Sequence, residues 1–526
     1  MDADVLIVGA GPTGLMLANQ LGRRGVRVMV IDRHSGPAQQ SRALGVQART
    51  LEIYAQLGIA EKALELGKVG NGANLWARGK KLGQVPLGDA GKFVTPYPYI
   101  LILGQDDNEL IMGERLGAWN VQVQWNTELV ALDQQAGQVT ATLKQPNGSI
   151  RQVDAAWVAG CDGARSAVRE LNGIEFAGAA YEHVFFVADT ETTGNMVPDE
   201  VNVYLLKKGF HLFFPMRGKD HWRIVGILPP ELRNAPDLKF EQVIPVLRAQ
   251  ADSDLSIRKC TWFSTYRIHH RAAVRFRERR CFVLGDAAHV HSPVGAQGMN
   301  TGLQDAYNLG WKLALVVKGQ ADAALLDSYE EERIPIARRL LGTTDRGFML
   351  IVSDSWFVGL LRTQILARIA AVVMKFKAAQ RIAFRTVSQT GIHYRWGRLS
   401  RSAQAFTGAA PRAGDRFPWL HLKFSVDGPV EDSFRKLEDT KFNLIAFGQP
   451  APDIGRIWLG DMITVHTIPA GPENDREFAR VGIPLPSYYL VRPDGYVGLC
   501  GGRFDVNALA RYIADNLMVK KATAIT

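Results

Sequence analysis

"ADVLIVGAGPTGLMLANQLGRRGVRVMVIDR", residues 3–33, decides how the first half of the chain folds. Val5 to Val8 is an apolar run of strand length. A glycine turn, a helix from about Pro12 to Arg24 and a second strand from Val26 to Ile31 ending on Asp32 follow it. This is a βαβ unit. Gly9 permits the tight turn, Gly11 lets the backbone approach a pyrophosphate, and Gly14 lets the helix pack closely on the strand. The helix N-terminus then offers free N–H groups to the phosphates. Asp32, with Arg33 beside it, sits where a carboxylate accepts hydrogen bonds from a ribose 2′-OH and repels a 2′-phosphate. The bound adenosine is therefore expected to be that of FAD or NAD, not NADP.

A chain of 526 residues is too long for one core, so two or three domains are expected. The apolar content is 47%. There is no uninterrupted apolar span of about 18 residues, and Met1 is followed by Asp2 and Asp4 without a basic leader. A soluble, cytoplasmic protein is expected. Cys161, Cys260, Cys281 and Cys500 are scattered without a C-x-x-C pair, so they are read as small buried hydrophobes, not as a disulfide framework or metal site. His289 and His291 likewise lack further ligands at metal-site spacing.

The net charge of +10 is local. Between Asp354 and Asp415 there is no acidic residue, while ten Lys and Arg side chains fall there. Such a stretch, "SWFVGLLRTQILARIAAVVMKFKAAQRIAF", reads as a basic amphipathic helix: a linker with one face on the core and basic stems outward, or a surface for a membrane or partner. The linker is the preferred reading. Neither nucleic-acid binding nor membrane association is expected.

A second turn, "RRCFVLGDAAHVHSPVGAQGMNTGLQDAYNLGWKLALVVKG" (residues 279–319), identifies the cofactor. Strand Cys281–Leu284 leads into Gly285 and Asp286, and an amphipathic helix is predicted from Thr301 to Lys318, capped by Asn300 or Thr301. Between them the glycines of "VGAQGMN", with Gly298, Met299 and Asn300 at its end, form a nest of backbone N–H groups. Such a nest suits the anionic edge of a reduced flavin. Asp286 is placed to accept from the ribityl hydroxyls, which NAD lacks, so one FAD would span both turns. A purely structural turn is the alternative.

Three ordered motifs, Gly9-Ala10-Gly11-Pro12-Thr13-Gly14, Cys161-Asp162-Gly163-Ala164-Arg165-Ser166 and Gly285-Asp286-Ala287-Ala288-His289, resemble the signature of the class A flavoprotein aromatic hydroxylases over roughly residues 1–345. The resemblance implies FAD, transient NADPH or NADH, O2, and hydroxylation of a small aromatic substrate through a flavin C4a-hydroperoxide. It implies that Arg42 and Arg49 approach the pyrophosphate and ribityl region, and that Gln105, with Glu109, lies near the ribityl chain. Asp162 and Arg165 would touch flavin and nicotinamide, with Arg169 a weaker candidate, and Pro293 would flank the flavin. "WFSTYRIHHRAAVRFRERRCFVLGDAAH" resembles phenol hydroxylase, which implies that Tyr266 approaches the phenolic oxygen. Arg267, His269 and Arg271 either bind a substrate carboxylate or are solvated. The strand-like region from Tyr181 to Ile268 is read as a sheet covering the flavin, with His211 and Phe213 chosen as substrate contacts.

The expected class is α/β: a Rossmann-like FAD-binding domain (1–175 and 270–345), an inserted β-sheet substrate domain (176–269, with 76–99 contributing), a helical linker (346–405) and a C-terminal domain (406–526). The last resembles the thioredoxin-like appendage of phenol hydroxylase relatives without its redox pair, and is expected to serve rigidity or a homodimer. A chain stopped near Thr407 is expected to keep FAD. The alternatives are a same-fold monooxygenase acting on a polycyclic substrate or inserting oxygen beside a ketone, and a flavin-containing scaffold protein.

Overall fold

The computed structural model describes residues 1–519 apart from 39–42, 207–208, 234, 236, 252–254, 292–295, 353–358, 360–363, 365–366, 451 and 455–459. The opening unit folds as read: β1 (Ala3–Val8), α1 (Pro12–Gly22) and β2 (Val28–Ile31), the strands parallel. Helices α2 (Ala48–Leu57) and α3 (Gln105–Leu116) follow, α3 packed on α1. Strand β3 (Ile150–Gly160) pairs parallel with the other side of β1, so β1 is central and Val5, Leu6 and Ile7 are wholly buried. A parallel strand covered on both faces needs the continuous apolar run that the sequence shows.

Strands β4 (Phe176–Thr193), β5 (Phe210–Pro215) and β6 (Ser256–Ala273) belong to a second, eight-stranded sheet, largely antiparallel, to which Gly72–Ala77 and Lys80–Pro86 add an edge. Its outer face packs Phe186, Phe213 and Ile224 with Phe240, Val243 and Leu247 of α4 (Phe240–Ala251). The inner face carries Phe185, Phe210 and Tyr266, whose rings touch, and Phe214, which packs with Leu44, Ile100 and Ile102 of the first domain. This corrects the choice of His211 and Phe213. Both lie on the outer face, Phe213 at 5.2 Å from the Tyr204 ring and His211 at 5.9 Å from that of Phe186. Side chains alternate along a strand, so a frame error of one residue exchanges the faces.

The chain re-enters the first sheet at β7 (Cys281–Val283), parallel to β3, and continues into α5 (Gly298–Val317) and α6 (Asp327–Val352). The predicted cap is also corrected: α5 begins at Gly298, with Gln297 in the cap position. Where described, the basic stretch forms two helices, Ala367–Val373 and α7 (Lys377–Val387), not one. On α7, Phe384 is buried against the first domain while Arg381 and Arg385 are exposed. Among the described residues no helix is long and apolar enough to cross a membrane.

The C-terminal strands β8 (Phe442–Phe447), β9 (Ile463–Ile468), β10 (Ser487–Val491) and β11 (Val497–Gly501) stand in the order β11–β10–β8–β9. Only β8 and β9 are parallel neighbours in that path. Gly495, at a φ of +78°, supplies the predicted hairpin turn with Asp494. This unit shares a core with the first domain, in which Trp311 and Leu325 pack with Phe442, Leu444, Tyr488 and Leu490. Buried ion pairs accompany it. Glu332 of α6 accepts from Arg492 at 2.6 and 3.0 Å and from Lys312 at 2.8 Å, all three side chains wholly buried. Asp439 accepts from Arg23, and Glu52 of α2 from Arg416. The C-terminal unit is thus built into the first domain: a chain ended at Thr407 would uncover the apolar face of Trp311 and Leu325 and would separate Glu332, Arg23 and Glu52 from Arg492, Asp439 and Arg416.

Candidate active site

A cleft of about 1420 Å³ opens at the C-terminal ends of the parallel strands, where ligands of open α/β sheets bind. Gly9, Gly11, Asp32, Arg33, Gln105, Asp162, Arg165 and Asp286 all line it, so eight sequence-predicted cofactor residues converge from four separate segments of the chain. Arg42 and Pro293 lie outside the described residues.

The glycines carry different duties. Gly9, at a φ of +103°, leaves no room for a side chain, since a Cβ would stand 2.4 Å from the Cys161 carbonyl oxygen. At Gly14 a Cβ would stand 1.9 Å from the Gly9 oxygen, which is the close helix–strand approach expected. Gly11 is the opposite case. A Cβ there meets only Glu109 Oε1 at 4.0 Å, leaving open cleft where a pyrophosphate must approach the backbone.

Asp32 Oδ2 accepts from the Ala10 N–H at 2.7 Å, which ties the glycine turn to the end of β2, and Oδ1 accepts from the His34 N–H at 2.8 Å. On α3, Gln105 Nε2 donates to Glu109 Oε1 at 2.8 Å, and Glu109 Oε2 accepts from the Ala38 N–H at 2.7 Å. Burial, with Asp32 and Asp106 nearby, raises the Glu109 pKa. Asp162 Oδ2 accepts from the Val168 N–H, while buried Oδ1 has no hydrogen-bond partner among the described residues. The carboxylate of Asp286 faces the cleft without a partner among the described residues, and the surrounding protein raises its pKa by desolvation. These bare acceptors fit the hydroxyl-rich chain of FAD.

Behind them lies a support that the sequence reading missed. Asp305 of α5 accepts from the Gly285 N–H at 3.0 Å, is 2.7 Å from His289 Nε2, and accepts from Arg333 Nε at 2.6 Å. Burial pushes the Asp305 pKa up, but Arg333 and His289 overcome it and hold it low. Arg169 donates to the Ala287 carbonyl at 3.0 Å and to the Ala164 carbonyl at 2.9 Å, clamping the two aspartate turns together. The one acidic residue of α5, two turns past Gly298, was the available signal for Asp305.

Two further expectations change. Arg49 does not face the cleft: it donates to Glu52 at 2.8 Å and to the Asp494 carbonyl at 2.6 Å, and is 5% exposed, because its position on α2 points it at the C-terminal domain. The Asn300 side chain is consumed by the protein. Its Oδ1 accepts from the Gln47 N–H and Thr50, and its Nδ2 donates to the Gly45 and Ala296 carbonyls. Gly298, Met299 and Asn300 form the first turn of α5, where backbone N–H groups have no intrahelical acceptor. Arg267 is exposed, His269 and Arg271 are half-buried, and Arg271 Nε has no partner.

The family profile described as "FAD binding domain" matches residues 2–344. The chain belongs to the FAD-dependent aromatic monooxygenases. It is 33% identical to 6-methylpretetramide 4-monooxygenase of Streptomyces rimosus, across 98% of this chain and 94% of that protein. Pentachlorophenol 4-monooxygenase of Sphingobium chlorophenolicum is 31% identical across 94% of this chain and 86% of its own length. Among solved structures, the OxyS anhydrotetracycline hydroxylase from Streptomyces rimosus superposes with a TM-score of 0.80 at 30% identity, covering 99% of this chain and 100% of that one. The cleft at the strand ends is the candidate cofactor site, and the inner face of the second sheet is the candidate substrate wall.

Proposed function

We propose that the chain uses NADPH or NADH and O2 to hydroxylate a phenolic ring, alone or within a fused polycycle. The observation that carries this reading is Tyr266, on the inner sheet face with Phe185 and Phe210 and in the same face as Phe214, which meets the first domain. Bound FAD supplies the activated oxygen. The chain's own residues do the rest. Gly11 and the α1 N-terminus would hold the pyrophosphate, Asp32 the ribose, and Asp286, Gln105 and Asp162 the ribityl and flavin end, with Arg33 and Arg165 on the same cleft wall. The free N–H groups of Gly298, Met299 and Asn300, in the first turn of α5, would hold the pyrimidine edge. Tyr266 aligns the substrate hydroxyl and shares its proton, which makes the ring electron-rich.

The extension to polycyclic rings rests on the tetracycline-type substrates in the relatives' names. The β11–β10–β8–β9 order, with β8 and β9 parallel, supports a thioredoxin-like C-terminal domain, to whose sheet Arg401–Ser402 adds a short parallel edge on β11. With Cys500 the one cysteine in that domain, its role is structural. The test is NADPH and NADH oxidation by the FAD-loaded protein with pentachlorophenol, simple phenols and anhydrotetracycline, scored by hydroxylated product. Stimulated oxidation with product is expected. Absence of product across both substrate classes would overturn the reading.

A further inference from the structure

A second cavity, of about 1080 Å³, lies between α6, α7 and the C-terminal domain and shares no lining residue with the flavin cleft. Its charge is one-sided, with seven arginines and two aspartates on the walls. Most of the compensating groups are spent. Asp415 accepts from Arg395 at 2.7 and 2.9 Å and from the Arg412 N–H, Arg416 is taken by Glu52, and Arg480 by Glu477. The guanidinium groups of Arg381, Arg385 and Arg412 have no acceptor among the described residues. Arg381 and Arg385 stand one turn apart on α7, an i,i+4 spacing at which like charges repel. Partial desolvation in the cavity wall lowers the Arg385 pKa; the cations Arg416 and Arg381 add to the effect and Asp415 opposes it. An anion between these groups would relieve that repulsion.

Part of the wall is apolar, with Phe93, Ile336, Leu340, Ile382 and Trp419 facing the same space. Ile382 is 69% exposed, an isoleucine left open beside the arginines. The other face of α7 sends Phe384 into the cluster shared with the inner sheet, so the helix separates this cavity from the candidate substrate wall. At the inner end stand Gln297 and Thr301 of α5, tied to α7 and its following turn by Gln297 to the Thr386 carbonyl at 3.1 Å and Gln389 to Thr301 at 2.9 Å.

We propose that this cavity binds an organic anion, an apolar body bearing a carboxylate or phosphate, held by Arg381, Arg385 and Arg412. Paired N–H donors of guanidinium groups match both oxyanions, and the apolar walls cover the body. The site stands apart from the hydroxylation proposed above and does not require it.

The test is calorimetric titration of the FAD-loaded full chain with three probes: 1-naphthoate, adenosine 2′,5′-bisphosphate and inorganic phosphate. One of the two organic anions is expected to bind at least tenfold more tightly than inorganic phosphate, and to weaken as NaCl is raised. Preference for naphthoate assigns the site to aromatic acids, and preference for the bisphosphate assigns it to nucleotides. The double variant Arg381→Gln, Arg385→Gln should lose at least tenfold in that affinity while keeping its flavin absorbance. If that variant does not fold, Arg412→Gln, on the C-terminal side of the cavity, carries the same comparison. Undetectable binding of both organic probes, equal binding of inorganic phosphate, or affinity unchanged in the arginine variants would overturn the proposal.

Discussion

Gly11 and Asp286 sit in different motifs yet face one cleft, and each can be changed without disturbing the protein around it. A Cβ on Gly11 has open space, and the Asp286 carboxylate has no partner among the described residues. Gly11→Val and Asp286→Ala should therefore each fold normally and purify with little or no flavin, read from absorbance against protein content. Full yellow colour in either would remove that residue from the cofactor site. Tyr266→Phe belongs to the chemistry instead. It should retain FAD and flavin reduction, slow hydroxylation by roughly 10²- to 10⁴-fold, and release H2O2 in place of product. Unchanged product per NAD(P)H would take the hydroxyl out of the mechanism. At this scale the sequence was legible wherever backbone geometry dictates the residue, as at Gly9 and Gly14. It was not legible for Arg49 and Asn300, whose side chains are claimed by groups that only the folded chain brings near.

The second sheet shows what periodicity reveals and what it leaves open. Alternation marks β5 as a strand with two different faces, yet both are apolar, so nothing in "FHLFFP" says which one meets the flavin domain. His211 falls on the outer face, 1% exposed, with Nδ1 unpartnered, and burial pushes its pKa down to about 3. A histidine depressed in this way stays neutral in the fold, while in the unfolded chain it takes up a proton as pH falls below its ordinary value of 6.5. Its contribution to stability is present above that pH and is lost progressively as pH falls toward about 3. The slope for one proton is about 1.4 kcal/mol per pH unit at most. His211→Leu should flatten the fall of the denaturation midpoint as the solution is acidified from pH 6.5 toward about 3, without affecting flavin content. An unaltered slope would mean that other groups control this range.

Across the whole molecule, the C-terminal strands and hairpin were readable from their local patterns, but their attachment was not. The contacts join Glu332 to Arg492 and Arg49 to the Asp494 carbonyl, and no local window contains such pairs. Burial pushes the Glu332 pKa up, but Arg492 and Lys312 overcome it and hold it down to about 2. A carboxylate depressed in this way stabilises the fold above its unfolded pKa, near 4.5, and loses that contribution as pH falls toward about 2. Glu332→Gln removes the negative charge at every pH and leaves the Lys312 cation without its carboxylate partner and Arg492 with Asp494 alone. Breaking a buried pair from one side costs about 3–5 kcal/mol, because the remaining charge stays desolvated. The variant should therefore melt at lower temperature at neutral pH, and the deficit should narrow as pH falls from 4.5 toward about 2, where the native carboxylate becomes protonated as well. A chain stopped at Thr407 should fare worse, since it also exposes Trp311 and Leu325, and is expected to be insoluble or rapidly proteolysed. Recovery of that shortened chain as a soluble, flavin-bound monomer would show that the shared core and the buried charges are dispensable.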